Sequence, residues 1–250
     1  FIATRQNMLG LLNHEQTHRL GVRSRLGDHL ANMTMAWPLL ITLEGYRRIH
    51  LAHHRHYFTD QDPDFRRKQG PEWTYPKRVM QFLTTVVVDV TGFNIVRFVA
   101  GKRGREAKSG PPKPITPPWA RLVFYGAAAV TFTWTETWIP FLVYWVLPWA
   151  TVLQLIVRWG AVCEHKYNLV SPSVEQSTPI IEPGRLESLL LPNLNFNLHI
   201  YHHWYPAIPF TKLPRVHEIF RREGLVRDEN VFHGYISYLM YLLGRRPELS

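Results

Sequence analysis

The feature that most restricts this chain is a run of 21 residues without a charge, Thr137 to Val157 (TWIPFLVYWVLPWATVLQLIV). A helix rises about 1.5 Å per residue, so such a run matches a hydrocarbon layer of roughly 30 Å. Soluble helices seldom run that far without a polar face, which disfavours the alternative of a buried hairpin in a water-soluble protein. The segment before it, Leu122 to Thr135 (LVFYGAAAVTFTWT), is equally uncharged but shorter. With Trp119 and Arg121 snorkelling at one end, it suits a locally thinned bilayer. Glu136, flanked by Trp134 and Trp138, fits a tight turn at the far interface within an aromatic belt.

The rest of the chain is polar and basic. A net charge of +10 raises nucleic acid as a partner, but the basic residues gather in Arg66-Arg67-Lys68, between Lys102 and Lys113, and in Arg221-Arg222. None of these alternates with a base-reading motif, so no nucleic-acid partner is expected. The stretch Gly101 to Pro118 (GKRGREAKSGPPKPITPP) reads as a loop, and on the cytoplasmic side it satisfies the positive-inside rule. The single cysteine, Cys163, rules out an intrachain disulfide and a cysteine metal cage. A length of 250 residues suits one large domain, expected to cover residues 1–250. The chain opens at Phe1 inside a helical pattern, so one or more helices are expected upstream of it.

The coarse order begins with a helix from Ile2 to about Leu20. A second helical run covers Gly27 to about Tyr57 and breaks near Pro38. Gln61 to Asp64 reads as a turn. Val79 to Ala100 is apolar on one side, and Asp89, Asn94 and Arg97 make it interfacial rather than spanning. The apolar hairpin ends near Arg158, and Gly160 to Ser250 is polar with short helices.

Thirteen histidines are present, and eight fall into three tight groups: His14 and His18; His50, His53 and His54 in HLAHH; and His199, His202 and His203 in HIYHH. On a helix, positions i, i+3 and i+4 share a face, so each group can aim its imidazoles at one point. Eight imidazoles exceed what one ion takes, since zinc binds four ligands and a catalytic zinc only three from the protein. Two metals use up the set, although imidazole suits zinc, copper, iron and nickel alike. His165, in Cys163-Glu164-His165 just past the hairpin, is a ninth candidate. His29, His56, His217 and His233 read as solvated or core histidines, with His56 and His217 (in LPRVHE) the two nearest to box-like positions.

Read alone, His14-Glu15-Gln16-Thr17-His18 is HExxH, the zinc-protease motif with Glu15 as base. That reading needs one zinc and one further ligand, and it leaves six box histidines without a role. In a two-metal site Glu15 becomes instead a carboxylate that orients a ligating imidazole, a part also open to Asp62 and Asp64. Asn195 and Asn197, just before the third group, are placed to hydrogen-bond a metal-bound water or to serve as plain turn residues.

HEQTH, then YRRIHLAHHRHYFTDQDPDF, then NLNFNLHIYHHWYPAIPFTKLPRVHE together resemble the integral-membrane fatty acid desaturase family, from Arg5 to about Glu218. The order HxxxH, HxxHH, HxxHH is matched, as are the Asp-Pro-Asp turn and the Tyr-Pro and Leu-Pro run. The resemblance implies an all-α integral membrane protein, a helical transmembrane stem under a cytosolic helical cap whose histidines hold two non-haem irons. It implies dioxygen as co-substrate, two external electrons, a fatty acyl substrate drawn from the lipid bilayer, and a new C=C bond as product. Related enzymes hydroxylate, form ketones or release terminal alkenes by oxidative decarboxylation, and the motifs do not separate these outcomes. The eight box histidines carry over as ligands, and His165 resembles the additional ligand many members supply.

Physical chemistry agrees: an aliphatic C–H bond is beyond any side-chain acid or base, so a redox metal must act. An all-nitrogen shell differs from the carboxylate-rich sites of soluble di-iron bundles. Members usually have about four spanning helices, whereas two and part of a third are recognisable here. No haem-binding donor domain is recognisable within residues 1–250, so a separate donor, a ferredoxin or a cytochrome, is expected. Arg66, Arg67 and Lys68 are a docking patch for it, or equally a solvated face or a headgroup contact. Phe124, Trp145 and Leu155 are candidates to line an acyl tunnel.

Overall fold

In the computed structural model, residues 1–99 and 112–245 are described. The basic stretch from Lys102 to Pro111 lies outside them, and Pro112 to Pro117 runs without helix. The helices in chain order are α1 (Ile2–Thr17), α2 (Arg25–Ala31), α3 (Leu43–Arg55), α4 (Pro63–Arg67), α5 (Val79–Val90), α6 (Phe93–Val99) and α7 (Pro118–Trp134). There follow α8 (Trp138–Phe141), α9 (Leu147–Ala150), α10 (Val152–Glu164), α11 (Val174–Ser177), α12 (Arg185–Leu190), α13 (His199–Trp204), α14 (Leu213–Arg222) and α15 (Tyr235–Leu242). Among the described residues the only strands are β1 (Ile180–Ile181) and β2 (Val231–Phe232), which pair in parallel, Ile180 opposite Val231. The all-α expectation therefore holds.

The chain forms two compact units, residues Phe1–Leu51 with Asp89–Ile156, and residues Ala52–Val88 with Val157–Ser250. In the first, α1 ends at Thr17, three residues before the expected Leu20, because Arg19 turns into the left-handed region at φ 58°. The run expected from Gly27 to Tyr57 is broken harder than one proline suggests. After α2 the helix widens into a π turn at Asn32–Ala36, tightens to 3-10 geometry at Trp37–Leu39, and stops at Leu40 with φ 62°. Pro38 has no N–H for the ladder, so the preceding carbonyls lose their ordinary partner. A second π turn, Leu142–Val146, precedes Pro148 for the same reason.

The carbonyls around these breaks bind side chains instead. Trp145 O accepts from Gln6 Nε2 at 2.8 Å, Pro38 O from Trp145 Nε1 at 3.0 Å, and Trp37 O from Tyr125 Oη at 2.9 Å. The apolar core around them comprises Ala3, Leu39 and Leu153, with Trp145, Trp149 and Ile156 packed on it. Of the proposed tunnel residues, Trp145 is thus tied to Pro38, Phe124 packs edge-on against Trp37 at 5.3 Å, and Leu155 is half-buried.

One described helix is long and apolar enough to cross a membrane, the 27-residue run Trp138–Glu164 that comprises α8 to α10. The hairpin turn falls where the sequence placed it, with Glu136 at φ 54°. The preceding arm, α7, has 17 residues. The long helix continues past Arg158 because Ala161, Val162 and Cys163 enter the core of the second unit. The segment expected as one run from Val79 breaks at Gly92, whose φ of 74° ends α5 and starts α6.

The second unit has three apolar clusters. Val162, Cys163, Ile181 and Phe232 pack with Tyr235, Tyr238 and Leu242 of α15. Ile180, Ile200, Tyr201 and Leu213 pack between α13 and α14. Phe58, Phe65, Ala161 and Tyr167 form the third. At about 25 cal/mol per Å² of apolar surface, these clusters supply the rigidity that a set of buried imidazoles needs.

Candidate metal centre

In the first unit, α1 presents His14, His18 follows one turn on at the C-cap of α1, and α3 presents His50. Their ligating nitrogens lie within 4.8 Å of one another, and His18 Nε2 stands 2.8 Å from His50 Nε2. Arg47, three residues before His50, sets this register. Its guanidinium donates to Asp28 Oδ1 and Oδ2 (2.7 and 2.9 Å), to Gln16 O (2.8 Å) and to Thr17 O (3.2 Å). One cation therefore caps the C-terminal carbonyls of α1 and holds α2 through a bidentate carboxylate. Gln16 closes the loop after α1, donating to Val22 O and Asp28 Oδ1 and accepting from Val22 N. Burial lowers His18 to about 4, with the Arg47 charge adding to it. Burial alone would raise the Asp28 carboxyl, but the bonds from Arg47 and Gln16 hold it below the usual range.

In the second unit, His53 and His54 from α3, His165 after α10, and His199, His202 and His203 from α13 come together. His165 Nε2 lies 3.3 Å from His53 Nε2 and 3.2 Å from His203 Nε2, and His203 Nε2 lies 3.1 Å from His199 Nε2. His54 Nε2 and His202 Nε2 are 3.0 Å apart. The HLAHH group thus does not aim at one point: His50 goes with the first group, His53 with His165. Positions 50 and 53 differ by about 60° around a helix, enough to serve separate clusters.

These contacts bear directly on metal binding. A ring nitrogen carries one proton or one lone pair in its plane, so His165 Nε2 cannot satisfy both His53 and His203 by hydrogen bonding. A cation can, because metal–imidazole bonds of about 2.1 Å place neighbouring ligand nitrogens roughly 3.0–3.4 Å apart. The donor set fits a metal.

The groups behind these rings are equally definite. Asp62 Oδ2 accepts from His53 Nδ1 at 2.7 Å, which turns the Nε2 lone pair of His53 toward His165. The same carboxylate accepts from Phe58 N (3.0 Å), Asp64 N (2.8 Å) and Phe65 N (3.1 Å), so it caps α4 as well. Burial would raise Asp62, and the bond and charge of His53 hold it low. On His165, Nδ1 meets Tyr57 Oη at 3.3 Å and Thr178 Oγ1 at 3.4 Å. Burial pushes Tyr57 up to about 12, so its hydroxyl keeps its proton. Burial, with neighbouring imidazoles adding to it, drives His165 and His203 well below the ordinary histidine value. Neutral imidazoles are what a metal requires.

The other expected residues fall less centrally. Glu15 is buried, its carboxylate 3.8 Å from His14 Nδ1, beyond hydrogen-bond reach. Asp64 serves Arg67 (2.5 Å) and Lys68 (2.8 Å), and touches no box histidine. It thereby pairs with two of the three cations of the Arg66-Arg67-Lys68 patch and offsets one unit of their charge. Asn197 Nδ2 donates to Ile181 O and Asn195 Nδ2 to Phe210 O. His29 meets Thr116 Oγ1 at 2.9 Å, and His56 is half-buried. His217 belongs to a chain running from the third box to the surface: Tyr201 Oη to His217 Nδ1 (2.7 Å), His217 Nε2 to Glu182 (3.0 Å), then Arg221 and exposed His233 on the same carboxylate. Tyr201 lies on the face of α13 opposite the ligands, so this chain fixes the helix rather than the metal. Behind that face lies a cleft of about 250 Å³ lined by Ile200, Tyr201, Trp204 and Phe220.

A mostly helical chain with buried, mutually converging imidazoles and an apolar helix of membrane length defines a histidine-box metal-binding protein. The profile of the fatty acid desaturase family matches residues 1–234 of the 250. The chain belongs to the fatty acid desaturase family. No curated protein matches it.

Proposed function

We propose that this protein is a membrane-bound, dioxygen-dependent oxidoreductase that introduces a C=C bond into a fatty acyl chain. The eight box histidines and His165 hold two iron ions. The observation that carries this reading is the meeting of His53, His165, His199 and His203 through Nε2 atoms 3.1–3.3 Å apart, spacings that suit the ligands of a cation. Iron bound there would activate dioxygen, the oxidant that an unactivated C–H bond demands.

The chain's own groups set the ligands. Asp62 holds the Nδ1 proton of His53. Tyr57 and Thr178 fix the ring of His165. Arg47 holds the α1 end that carries His18. The helix Trp138–Glu164 crosses the bilayer and ends one residue before His165, the histidine boxes lie on the cytoplasmic side, and the substrate's acyl chain lies beside the helix; the length and apolar composition of Trp138–Glu164 support the spanning part of this reading. Two electrons arrive from a separate ferredoxin- or cytochrome-type protein. Arg66, exposed on α4, is the outward charge of its docking patch.

The test is chromatography and mass spectrometry of lipids and volatiles from cells expressing the complete gene. New double bonds in acyl chains are expected. Hydroxy acids or volatile 1-alkenes in their place would reassign the outcome to hydroxylation or oxidative decarboxylation, and cleaved peptides without lipid products would return the protease reading of HEQTH.

A further inference from the structure

The C-terminal helix α15 has two unlike faces. Tyr235, Tyr238 and Leu242 are buried. They pack on the last turns of the long apolar helix, where Tyr238 Oη donates to Val162 O at 2.7 Å and the Tyr235 and Trp159 rings stand 6.1 Å apart. The other face carries Ile236, Leu239, Met240 and Leu243 at the i, i+3, i+4, i+7 spacing of a continuous apolar stripe. Ile236 is 73 % exposed, and the other three are half-buried.

Apolar side chains extend this stripe at both ends. At the N-terminal end, Glu187 of α12 accepts from Tyr235 N at 2.9 Å and brings α12 alongside. That six-residue helix leaves Leu186, Leu189 and Leu190 exposed by 67, 72 and 61 %. At the C-terminal end, Lys77 N donates to Leu242 O, and exposed Val79, Met80 and Leu83 of α5 follow directly. Exposed arginines stand at the same two ends, Arg185 opening α12, with Arg78 and Arg245 beside the end of α15. None of the three has an ion-pair partner among the described residues, whereas Arg67, Arg215, Arg221, Arg222 and Arg227 each have one.

We infer that the outward face of α15, extended by α12 and the start of α5, seats in the interface of an anionic lipid leaflet. Apolar side chains enter the acyl boundary, and Arg78, Arg185 and Arg245 meet lipid phosphates. Tyr235 and Tyr238 hold α15 against Trp159 and Val162 in the last turns of the long helix, and the charge flanking the stripe is complementary to anionic headgroups. This inference rests on the reading of Trp138–Glu164 as membrane-spanning.

Site-directed spin labelling of the full protein in phosphatidylcholine/phosphatidylglycerol nanodiscs tests it. Single cysteines are placed at Ile236, Leu189, Tyr144 (within the long helix) and Glu218 (on exposed α14) in a Cys163→Ser background. Collision with dioxygen, which partitions into lipid, should dominate at Ile236 and Leu189 as it does at Tyr144, while a nickel chelate should dominate at Glu218. Omitting phosphatidylglycerol, or replacing Arg78, Arg185 and Arg245 by Gln, should lower the dioxygen-to-nickel ratio at Ile236 by at least about two-fold and leave Tyr144 unchanged. Nickel dominance at Ile236 with Tyr144 in lipid overturns the inference and leaves the spanning helix standing. Shielding of Ile236 from both reagents overturns it in favour of a protein partner, and indifference to lipid charge overturns its anionic part. Nickel dominance at Tyr144 overturns it together with the spanning reading.

Discussion

Replacing Asp62 by Asn removes one charge and keeps the shape, and its consequences follow from four distances. In the native protein Oδ1 accepts from Asp64 N and Phe65 N, and Oδ2 accepts from His53 Nδ1 and Phe58 N. Asn can keep one oxygen on the α4 amides, so the cap survives. Its NH2 then faces two donors, His53 Nδ1–H and Phe58 N–H. The relief open to His53 is to move its proton to Nε2, which removes the lone pair directed at His165. A hydrogen bond to a charged group contributes about 1.5–3 kcal/mol. Loss of a carboxylate behind a metal-bound histidine typically costs 10–100-fold in affinity, about 1.4–2.8 kcal/mol, so the two figures agree. The assay is a chelator competition on purified Asp62→Asn, read as iron retained per chain, with Asp64→Asn as control. Asp64 touches Arg67 and Lys68 but no box histidine. Iron affinity should fall about 10–100-fold in the first and stay near native in the second. Native affinity in Asp62→Asn, or equal loss in Asp64→Asn, would refute the reasoning.

Arg47→Lys keeps a charge but cannot reach both oxygens of Asp28 and two α1 carbonyls together, and should cost about 2–4 kcal/mol, seen as a lower melting temperature in detergent. The Asp28 carboxyl is held below its unfolded value of about 3.9, so it adds stability in full above that pH and loses it as pH falls through the lower folded value. Acid melting curves of Asp28→Asn should lack that component. His165→Ala removes the nitrogen shared by His53 and His203 and should lower iron occupancy; unchanged metal content would remove His165 from the ligand set.

The three histidine groups were visible because i, i+3 and i+4 spacing marks one face of a helix, but the expectation that each group aims at one point fails for HLAHH, whose His50 and His53 go to separate clusters. The long helix was legible from its uncharged run, although its true end at Glu164 was not: Arg158 looks terminal in sequence, while Val162 and Cys163 are core residues of the next unit. Asp62 was visible as one of two acids near the second box, but only the bond to His53 separates it from Asp64. The Arg47–Asp28–Gln16 clamp and the hydroxyls of Tyr57 and Thr178 on His165 were not legible. They join residues 12 to 108 positions apart that have no periodic signature. The π turns at Asn32–Ala36 and Leu142–Val146 were half legible, since Pro38 and Pro148 announce a broken ladder but not which carbonyls find new donors. Tyr201 hides within HIYHH, where its neighbours draw attention away from the opposite helix face.

Metal analysis of the purified, full-length protein tests the central claim most directly. Elemental quantification should return about two irons per chain, the content that the proposed two sets of histidine ligands predict. One zinc per chain and no iron would contradict the di-iron oxidoreductase and restore the plain HExxH reading of the first box.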